Sequence, residues 1–270
     1  MKIIKNIKNL KESIKGIPNL GFVPTMGGLH VGHLKLIKKS INKSQKTLVS
    51  IYVNPTQFNK KKDYLRYPRN IKKDLKILKR QNVDFVFLPR TEEVYKKKKI
   101  KNIRIHTKKN VLCGKFRKGH FEGVINVIDR FLRLINPKYI FLGEKDFQQL
   151  FLIKNYIKNK FKVKVISCKT VRDKNYVALS SRNFLLSKEN LATAGKIARK
   201  LKSFKDKIKK NYKFKKEINY YKNYITKKYS VKIDYLEIRN EKDLSTFKKR
   251  KKFRLFVAYN LGRVRLIDNH

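Results

Sequence analysis

The segment Val23-Pro24-Thr25-Met26-Gly27-Gly28-Leu29-His30-Val31-Gly32-His33 decides the fold of this chain. It starts at the end of an apolar run, Leu20–Val23, crosses a glycine-rich turn and enters a helical pattern from about His30 to Asn42. A strand that passes through such a turn into a helix is the first half of a parallel βαβ unit. The glycines let a phosphate chain approach the backbone, and the helix start is expected to add free N–H groups and the positive end of a dipole. Two better-known phosphate loops do not fit. Gly27 and Gly32 have Walker A spacing, but His33-Leu34 stands where Lys and Ser/Thr are required, and no Gly-x-Gly-x-x-Gly is present.

Two histidines three apart at a helix start lie on nearly the same face, so both imidazoles reach one polyphosphate. Gly32 between them removes a side chain that would keep a nucleotide away. Imidazoles so placed can donate hydrogen bonds to phosphate oxygens and stabilise charge as the α-phosphorus is attacked. A bare pair of this kind also suits satisfied loop histidines or half of a metal site. The strand, the glycines and the helix around it favour phosphate.

Outward from this segment, strand-like and helical runs alternate: a strand at Thr47–Val53, a helix near Asn70–Gln81, and the strand Val83–Leu88 bounded by Pro89. A helix near Phe121–Ile135 is stopped by Asn136-Pro137, and Tyr139–Leu142 reads as the next strand. A helix follows Gly143 with Phe147, Leu150, Phe151, Ile153, Tyr156 and Ile157 on one apolar stripe, then a strand at Lys162–Ser167. The character changes near residue 180. Ser187 caps a long helical pattern to about Lys210, a second runs from Phe214 to Tyr229, and strands follow at Ile233–Ile238, Arg254–Tyr259 and Arg263–Ile267. The expected architecture is α/β: a Rossmann-like parallel sheet over residues 1–178 and a smaller α+β domain over 179–270.

Composition bounds the function. Lys+Arg 71 against Asp+Glu 19 gives a formal charge of +52, which invites a nucleic-acid reading. The excess is mostly Lys and accompanies abundant Ile and Asn, few Ala and no Trp, the residues that an A+T-rich genome favours and avoids. The tyrosines and phenylalanines mostly occupy apolar periodic positions suited to a core, so no aromatic platform for bases stands out. Lys96–Lys99 and Lys248–Lys252 read as solvated loops. No run of about 18–20 apolar residues is present to span a bilayer. Lysines interrupt the N-terminus too often for a signal peptide. Cys113 and Cys168 lie far apart, outside any Cys-x-x-Cys spacing, which suits a reducing cytosol and signals neither a disulfide framework nor a thiolate zinc site.

Several further blocks carry chemistry. Gly143-Glu144-Lys145-Asp146 follows a strand and opens a helix, so Lys145 can set a point charge on phosphate oxygens with Asp146 near the positive helix end. Gln57 and Gln149 are neutral donors and acceptors that taken alone read as surface or core-edge amides, although amides can bind a hydroxyl and a carboxylate without adding charge. Ser180-Ser181-Arg182 offers two hydroxyls and a guanidinium to a pyrophosphate leaving group. His-x-Gly-His after a first strand resembles the signature of the HIGH-type nucleotidylyltransferase superfamily, which includes class I aminoacyl-tRNA synthetases. The longer string Pro24-Thr25-Met26-Gly27-x-Leu29-His30-x-Gly32-His33 is similar to the pantothenate synthetase family within it. So, in order, are Tyr52-Val53-Asn54-Pro55-x-Gln57-Phe58, Tyr67-Pro68-Arg69, Arg117-x-Gly119-His120-Phe121-x-Gly123-Val124, Gly143–Gln149, Leu179–Asn183 and Leu266-Ile267-Asp268-Asn269.

The resemblance implies an AMP-forming ligase that joins pantoate to beta-alanine through pantoyl adenylate, with ATP as substrate and Mg²⁺ carried mainly on its phosphates rather than by dedicated protein ligands. It implies ATP contacts from Met26, Gly27, Gly28, Leu29, His30, Val31, Gly32 and His33, from Gly143, Glu144, Lys145 and Asp146, and from Val171, Leu179, Ser180, Ser181 and Arg182. Gln57, Gln149 and Asn54 are implied to hold pantoate and beta-alanine. His33 is implied as proton donor and phosphate stabiliser, with His30, Lys145 and Arg182 beside it. A cytoplasmic homodimer without specific nucleic-acid partners is also implied. Three positions depart from the family pattern: Cys113 for Glu, Lys118 for Pro and Tyr176 for Gly. If residue 176 needs φ > 0, Asn175 is expected to absorb the turn. Another small-molecule adenylyltransferase and a basic nucleic-acid binder remain as alternatives, the first separated by free AMP as product and the second by salt-dependent binding.

Overall fold

A computed structural model describes residues 1–95, 103, 105–210, 215–247 and 252–270; Lys96–Lys99, Lys248–Lys251 and Phe214, for which loops and a helix start were expected, lie outside them. The chain begins with β1 (Lys2–Ile4), α1 (Ile7–Ile14), β2 (Leu20–Thr25), α2 (Val31–Ile41) and β3 (Lys46–Ile51). It continues with α3 (Lys61–Leu65), α4 (Ile71–Arg80), β4 (Phe85–Phe87), α5 (Thr91–Tyr95), α6 (Cys113–Phe116) and α7 (His120–Ile135). Then come β5 (Tyr139–Gly143), α8 (Phe147–Ile157), β6 (Lys164–Cys168), α9 (Lys188–Lys210), α10 (Lys215–Tyr229), β7 (Lys232–Asn240), β8 (Phe253–Leu261) and β9 (Val264–Asn269).

Six strands form one parallel sheet in the order β1-β4-β3-β2-β5-β6. Successive strand residues face opposite sides, and here both sides are buried. Phe22, Leu48, Phe87 and Ile140 enter one core, beneath α1, α7 and α8, while their neighbours Val23, Val49, Val86 and Phe141 enter the other, with Leu36 and Ile37 of α2 and Leu78 of α4. Each such aromatic or branched side chain contributes about 1.5–3 kcal/mol on burial. The apolar runs therefore read correctly as central strands. β1 and α1 escaped the sequence reading because β1 is a three-residue edge strand whose only buried side chain is Ile4. Helix α8 is buried on more than one stripe, Leu152 and Gln148 included, because it is wedged between the sheet and residues 108–113.

A second, antiparallel sheet, β7-β8-β9, carries α9 and α10 on one face over its own core of Ile197, Leu201, Phe204, Ile225, Leu255 and Val257. Its other face, through Tyr235, Phe256 and Ala258, joins the core of the large sheet's α7 and α8 side. No described helix is long and apolar enough to cross a membrane. Cys113 and Cys168 are buried and carry no disulfide.

One close approach sets up the site. At Gly123 in α7, an added Cβ would stand 2.3 Å from the Thr56 carbonyl oxygen and 2.6 Å from the Gln57 Cα. Only hydrogen lets α7 lie against the turn Pro55–Gln57. Gly123→Ala is expected to push that turn away and destabilise the protein by about 1–3 kcal/mol, the usual cost of overpacking, as measured by urea denaturation.

Candidate active site

The strands β2 and β5 are neighbours, but the chain leaves them in opposite directions, to β3 on one side and β6 on the other. Such a reversal opens a crevice beyond the carboxyl ends of the strands. A cleft of about 230 Å³ lies there. Met26, His30, Gly32, His33, Asn54, Gln57, Gly143, Lys145, Asp146, Gln149, Val171, Leu179, Ser180, Ser181 and Arg182 all reach its wall. Four other implied contact residues do not reach the wall: Gly27, Gly28 and Leu29 are buried, and Val31 is exposed on α2. The side chain of Glu144 also turns elsewhere, accepting from Arg254 at 3.0 Å.

The glycine turn is held from behind. Asp74, 2% exposed in the first turn of α4, accepts the amides of Gly28 at 2.9 Å and Leu29 at 2.8 Å. Gly27 donates to the Thr25 hydroxyl, and Ser181 donates to the Gly28 carbonyl at 2.9 Å. Gly27 and Gly28 have φ of 77° and 61°, left-handed conformations that favour glycine. The amides of the glycine turn are thus taken up by the protein itself. A carboxylate four residues into a helix reads in sequence only as favourable charge near the dipole, so Asp74 gave no earlier signal.

Phosphate-binding capacity passes to side chains. His30 caps α2, its Nδ1 accepting the Gly32 amide at 3.1 Å, and His33 Nδ1 faces the His30 amide at 3.3 Å. These acceptors place the proton of each neutral ring on Nε2. A Cβ at Gly32 would meet His30 Cε1 at 2.8 Å, so this glycine makes room for the imidazole first. Burial lowers the His30 pKa to about 4, helped by Lys145; burial, His30 and Lys145 lower that of His33 to about 3. Both rings are therefore neutral at pH 7. His33, expected as a proton donor, holds an Nε2–H for hydrogen bonding but no extra proton to release.

Amides line another part of the cleft. Asn54 is 1% exposed, and its oxygen accepts from Thr56 and from the Tyr95 hydroxyl while its nitrogen donates to the Gly123 carbonyl at 3.0 Å. It thereby holds the turn that carries Gln57, whose amide nitrogen points at the Met26 sulfur. His120 supports the same turn. Arg117 donates to its Nε2 at 2.9 Å, so Nδ1–H donates to the Gln57 carbonyl at 2.8 Å, and burial followed by Arg117 keeps its pKa well below the usual value. The paired glutamines on α8 divide their work. Gln148 is spent on the Cys113 amide and the Lys108 and Val111 carbonyls, whereas Gln149 faces the cleft.

The remaining wall is cationic. Lys145 is 17% exposed, with Asp146 3.7 Å away. Arg182 is held by both carboxylate oxygens of Asp63, at 3.2 and 3.0 Å, and Arg117 lies 4.0 Å from the same carboxylate. Asp63 sits on α3 in a lysine-rich stretch and carried no recognisable motif. Burial and the nearby Arg182 lower the Arg117 pKa to about 10, a sign of how little anionic compensation the cleft contains.

Of the departures, Lys118 is exposed beside Gly119, which caps α7 with φ of 81°. Cys113 is buried against the small sheet, its sulfur 3.1 Å from the Tyr235 hydroxyl and 3.8 Å from Arg265. Asn175 does not absorb the turn: Tyr176 itself takes φ of 72°. Its left-handed backbone costs roughly 1–2 kcal/mol. Stacking on His270 and a guanidinium contact with Arg172, 4.5 Å from the ring, offset this.

Two outcomes are expected from these contacts. Asp74→Asn keeps the shape but turns one acceptor into a donor facing an amide, and should weaken ATP binding about tenfold by calorimetry without unfolding the chain. The histidine pKa values lie below the unfolded value of about 6.5, so the unfolded chain binds more protons below that pH. Stability should fall as pH drops from about 6.5 through 4 towards 3. NMR should show the His30 and His33 rings still neutral at pH 5.5, and a ring titrating near 6.5 would contradict the assigned environment.

Comparison with known proteins gives matches over the whole chain. The family model described as pantoate-beta-alanine ligase matches residues 2–270. A pantothenate synthetase of Endomicrobium trichonymphae is 40% identical over 279 residues, covering 100% of this chain and 97% of its own length. The crystal structure of the pantothenate synthetase from Thermus thermophilus superposes with a TM-score of 0.93 at 31% identity, covering 100% of this chain and 99% of that one. The ligase from Francisella tularensis, crystallised with beta-gamma ATP and beta-alanine, gives 0.83 at 34% identity, with 100% and 97% covered. With its fold, its motifs and its whole length in agreement, the chain belongs to the pantoate-beta-alanine ligase family.

Proposed function

We propose that this protein condenses pantoate with beta-alanine at the expense of ATP, through pantoyl adenylate, releasing AMP and pyrophosphate. The observation that carries this is the lining of one cleft by two kinds of group: the Nε2–H donors of neutral His30 and His33 with Lys145, and the uncharged amides of Gln57 and Gln149. The first set suits phosphates and the second a hydroxy acid.

In the first step the pantoate carboxylate attacks the α-phosphorus and the bond to the bridging oxygen breaks, so pyrophosphate leaves with the electron pair. A carboxylate is already a nucleophile at pH 7, so no general base is required. Catalysis then rests on alignment and on donors aimed where charge develops. His33 and His30 donate to the α- and β-phosphate oxygens without the desolvation cost of two buried imidazolium ions, and Lys145 supplies the fixed charge. Arg182 exchanges its Asp63 partner for the departing phosphates. Gln57 and Gln149 hold pantoate so that its carboxylate points at phosphorus. In the second step the neutral beta-alanine amine attacks the acyl carbon, the carbon-oxygen bond breaks so that AMP departs with its electron pair, and the proton lost from nitrogen passes to solvent.

Residues 1–178 bind ATP and pantoate in this reading, and residues 179–270 form the lid, with Ser181 docked on the glycine turn. Asp146 would help hold a Mg²⁺ ion carried by the nucleotide. Among the described residues no trio of acids, histidines or cysteines forms a metal cage, while Asp146 offers a partly exposed carboxylate beside Lys145, a donor set that fits an ion held mainly by phosphate oxygens. Bound there, the ion neutralises phosphate charge. The protein works in the cytoplasm, consistent with its buried thiols, as the homodimer that the family resemblance implies.

The test is AMP production with each substrate omitted in turn. AMP should require ATP, pantoate and beta-alanine together, and steady AMP release without beta-alanine would contradict the ligase cycle. His33→Ala should slow pyrophosphate release by about 10²–10³-fold, the effect of losing one preorganised donor, while wild-type release would remove His33 from the mechanism.

A further inference from the structure

The segment Asp268-Asn269-His270 at the end of β9 is buried, with exposures of 8%, 3% and 8%, yet none of the steps above uses it. Asn269 ends β9 on the small sheet. Its carboxamide nitrogen donates to the carbonyls of Glu144 and Lys145, each at 2.9 Å. Its oxygen accepts from Arg254 at 2.8 Å, and Arg254 also grips the Glu144 carboxylate at 3.0 Å. Every hydrogen-bonding atom of the carboxamide is thus engaged, and two consecutive carbonyls of the turn Glu144–Asp146 are fixed by one planar group. Two bonds from one amide nitrogen to adjacent peptides set the rotation of that turn, and with it the direction in which the Lys145 side chain leaves the backbone.

The neighbouring residue does the same for the other border of the cleft. Asp268 binds Arg172 through both oxygens, at 2.7 and 2.9 Å, and Arg172 also donates to the Tyr176 and Asn269 carbonyls. The segment between Val171 and Leu179, both on the cleft wall, is thereby tied to the same strand end. His270 locks the strand end in place by exchanging two backbone hydrogen bonds with Leu255.

We infer that Asn269 is a positioning residue for adenylation: from the second sheet it sets the Glu144–Lys145 turn so that the lysine meets the phosphates of ATP. This rests on the reading of Lys145 as the phosphate-binding cation. A misplacement of about 1 Å at such a group can cost about 10²-fold, whereas the beta-alanine step does not need the triphosphate held.

Asn269→Asp tests it. The variant keeps size and the acceptor for Arg254, but sets an anion without N–H groups against two carbonyl oxygens. In a pyrophosphate-release assay its KM for ATP should rise at least about tenfold, with the KM for beta-alanine on supplied pantoyl adenylate within about twofold of wild type. Val257→Ala, in the small sheet's own core, controls for stability: it should lower the melting temperature and leave the KM for ATP unchanged. An unchanged KM for ATP in Asn269→Asp, or an equal rise in Val257→Ala, overturns the positioning role. Should Asn269→Asp not fold, Asn269→Ser retains one donor and should show the same split on a smaller scale, and a failure to show it is equally decisive. Lys145→Met separates the two readings. If it raises the KM for ATP and Asn269→Asp does not, only the positioning role falls; if it leaves that KM unchanged, the lysine's role falls and the inference falls with it.

Discussion

A single buried carboxylate holds the feature on which the rest of this structure depends. Asp74 takes the amides of Gly28 and Leu29 and so fixes the turn between β2 and α2 in a left-handed path. Burial of a carboxylate is costly unless hydrogen bonds satisfy it, and two backbone donors at the positive end of α4 do so here. The consequence is functional. With the turn's amides spent on protein, the cleft is left to His30, His33, Lys145 and Arg182, whose side chains can be oriented individually.

Orientation is the recurrent theme at this site. Nearly every candidate catalytic side chain has a partner that sets its direction: the Gly32 amide for His30, the His30 amide for His33, Asp63 for Arg182, and the turn held by Asn54 and His120 for Gln57. A reaction whose nucleophile is already ionised gains mainly from alignment and from preorganised donors, so this investment in placement suits it. Neutral imidazoles fit the same logic. Two imidazolium ions 4.1 Å apart beside Lys145 would repel each other, while neutral rings offer Nε2–H groups without that penalty.

The charge of +52 takes on a different meaning in this setting. Lys145, Arg182 and Arg117 have places in the cleft, whereas lysines such as Lys118 and Lys61 stand exposed and contribute chiefly to the field that anionic substrates meet. Among the described residues no lysine is buried. Phe22, Val23, Leu48 and Val49 keep the sheet's two cores, because a lysine there would strand a charge away from water.

The sequence by itself determined the α/β class and the positions of β2 through β6 to within a few residues, whereas the histidine, glutamine, lysine and serine-arginine blocks of the candidate site stood out through the family resemblance. These are legible because apolar periodicity and glycine turns are local properties of the chain. Tertiary structure alone decided that Gly28 and Leu29 serve Asp74, that Gln148 is structural while Gln149 faces the cleft, that Tyr176 bears the left-handed turn, and that Asn269 grips the lysine turn from 124 residues away. Each of these depends on which groups meet across the fold. Buried polar atoms must find partners wherever the packed chain supplies them, and no local pattern records that choice.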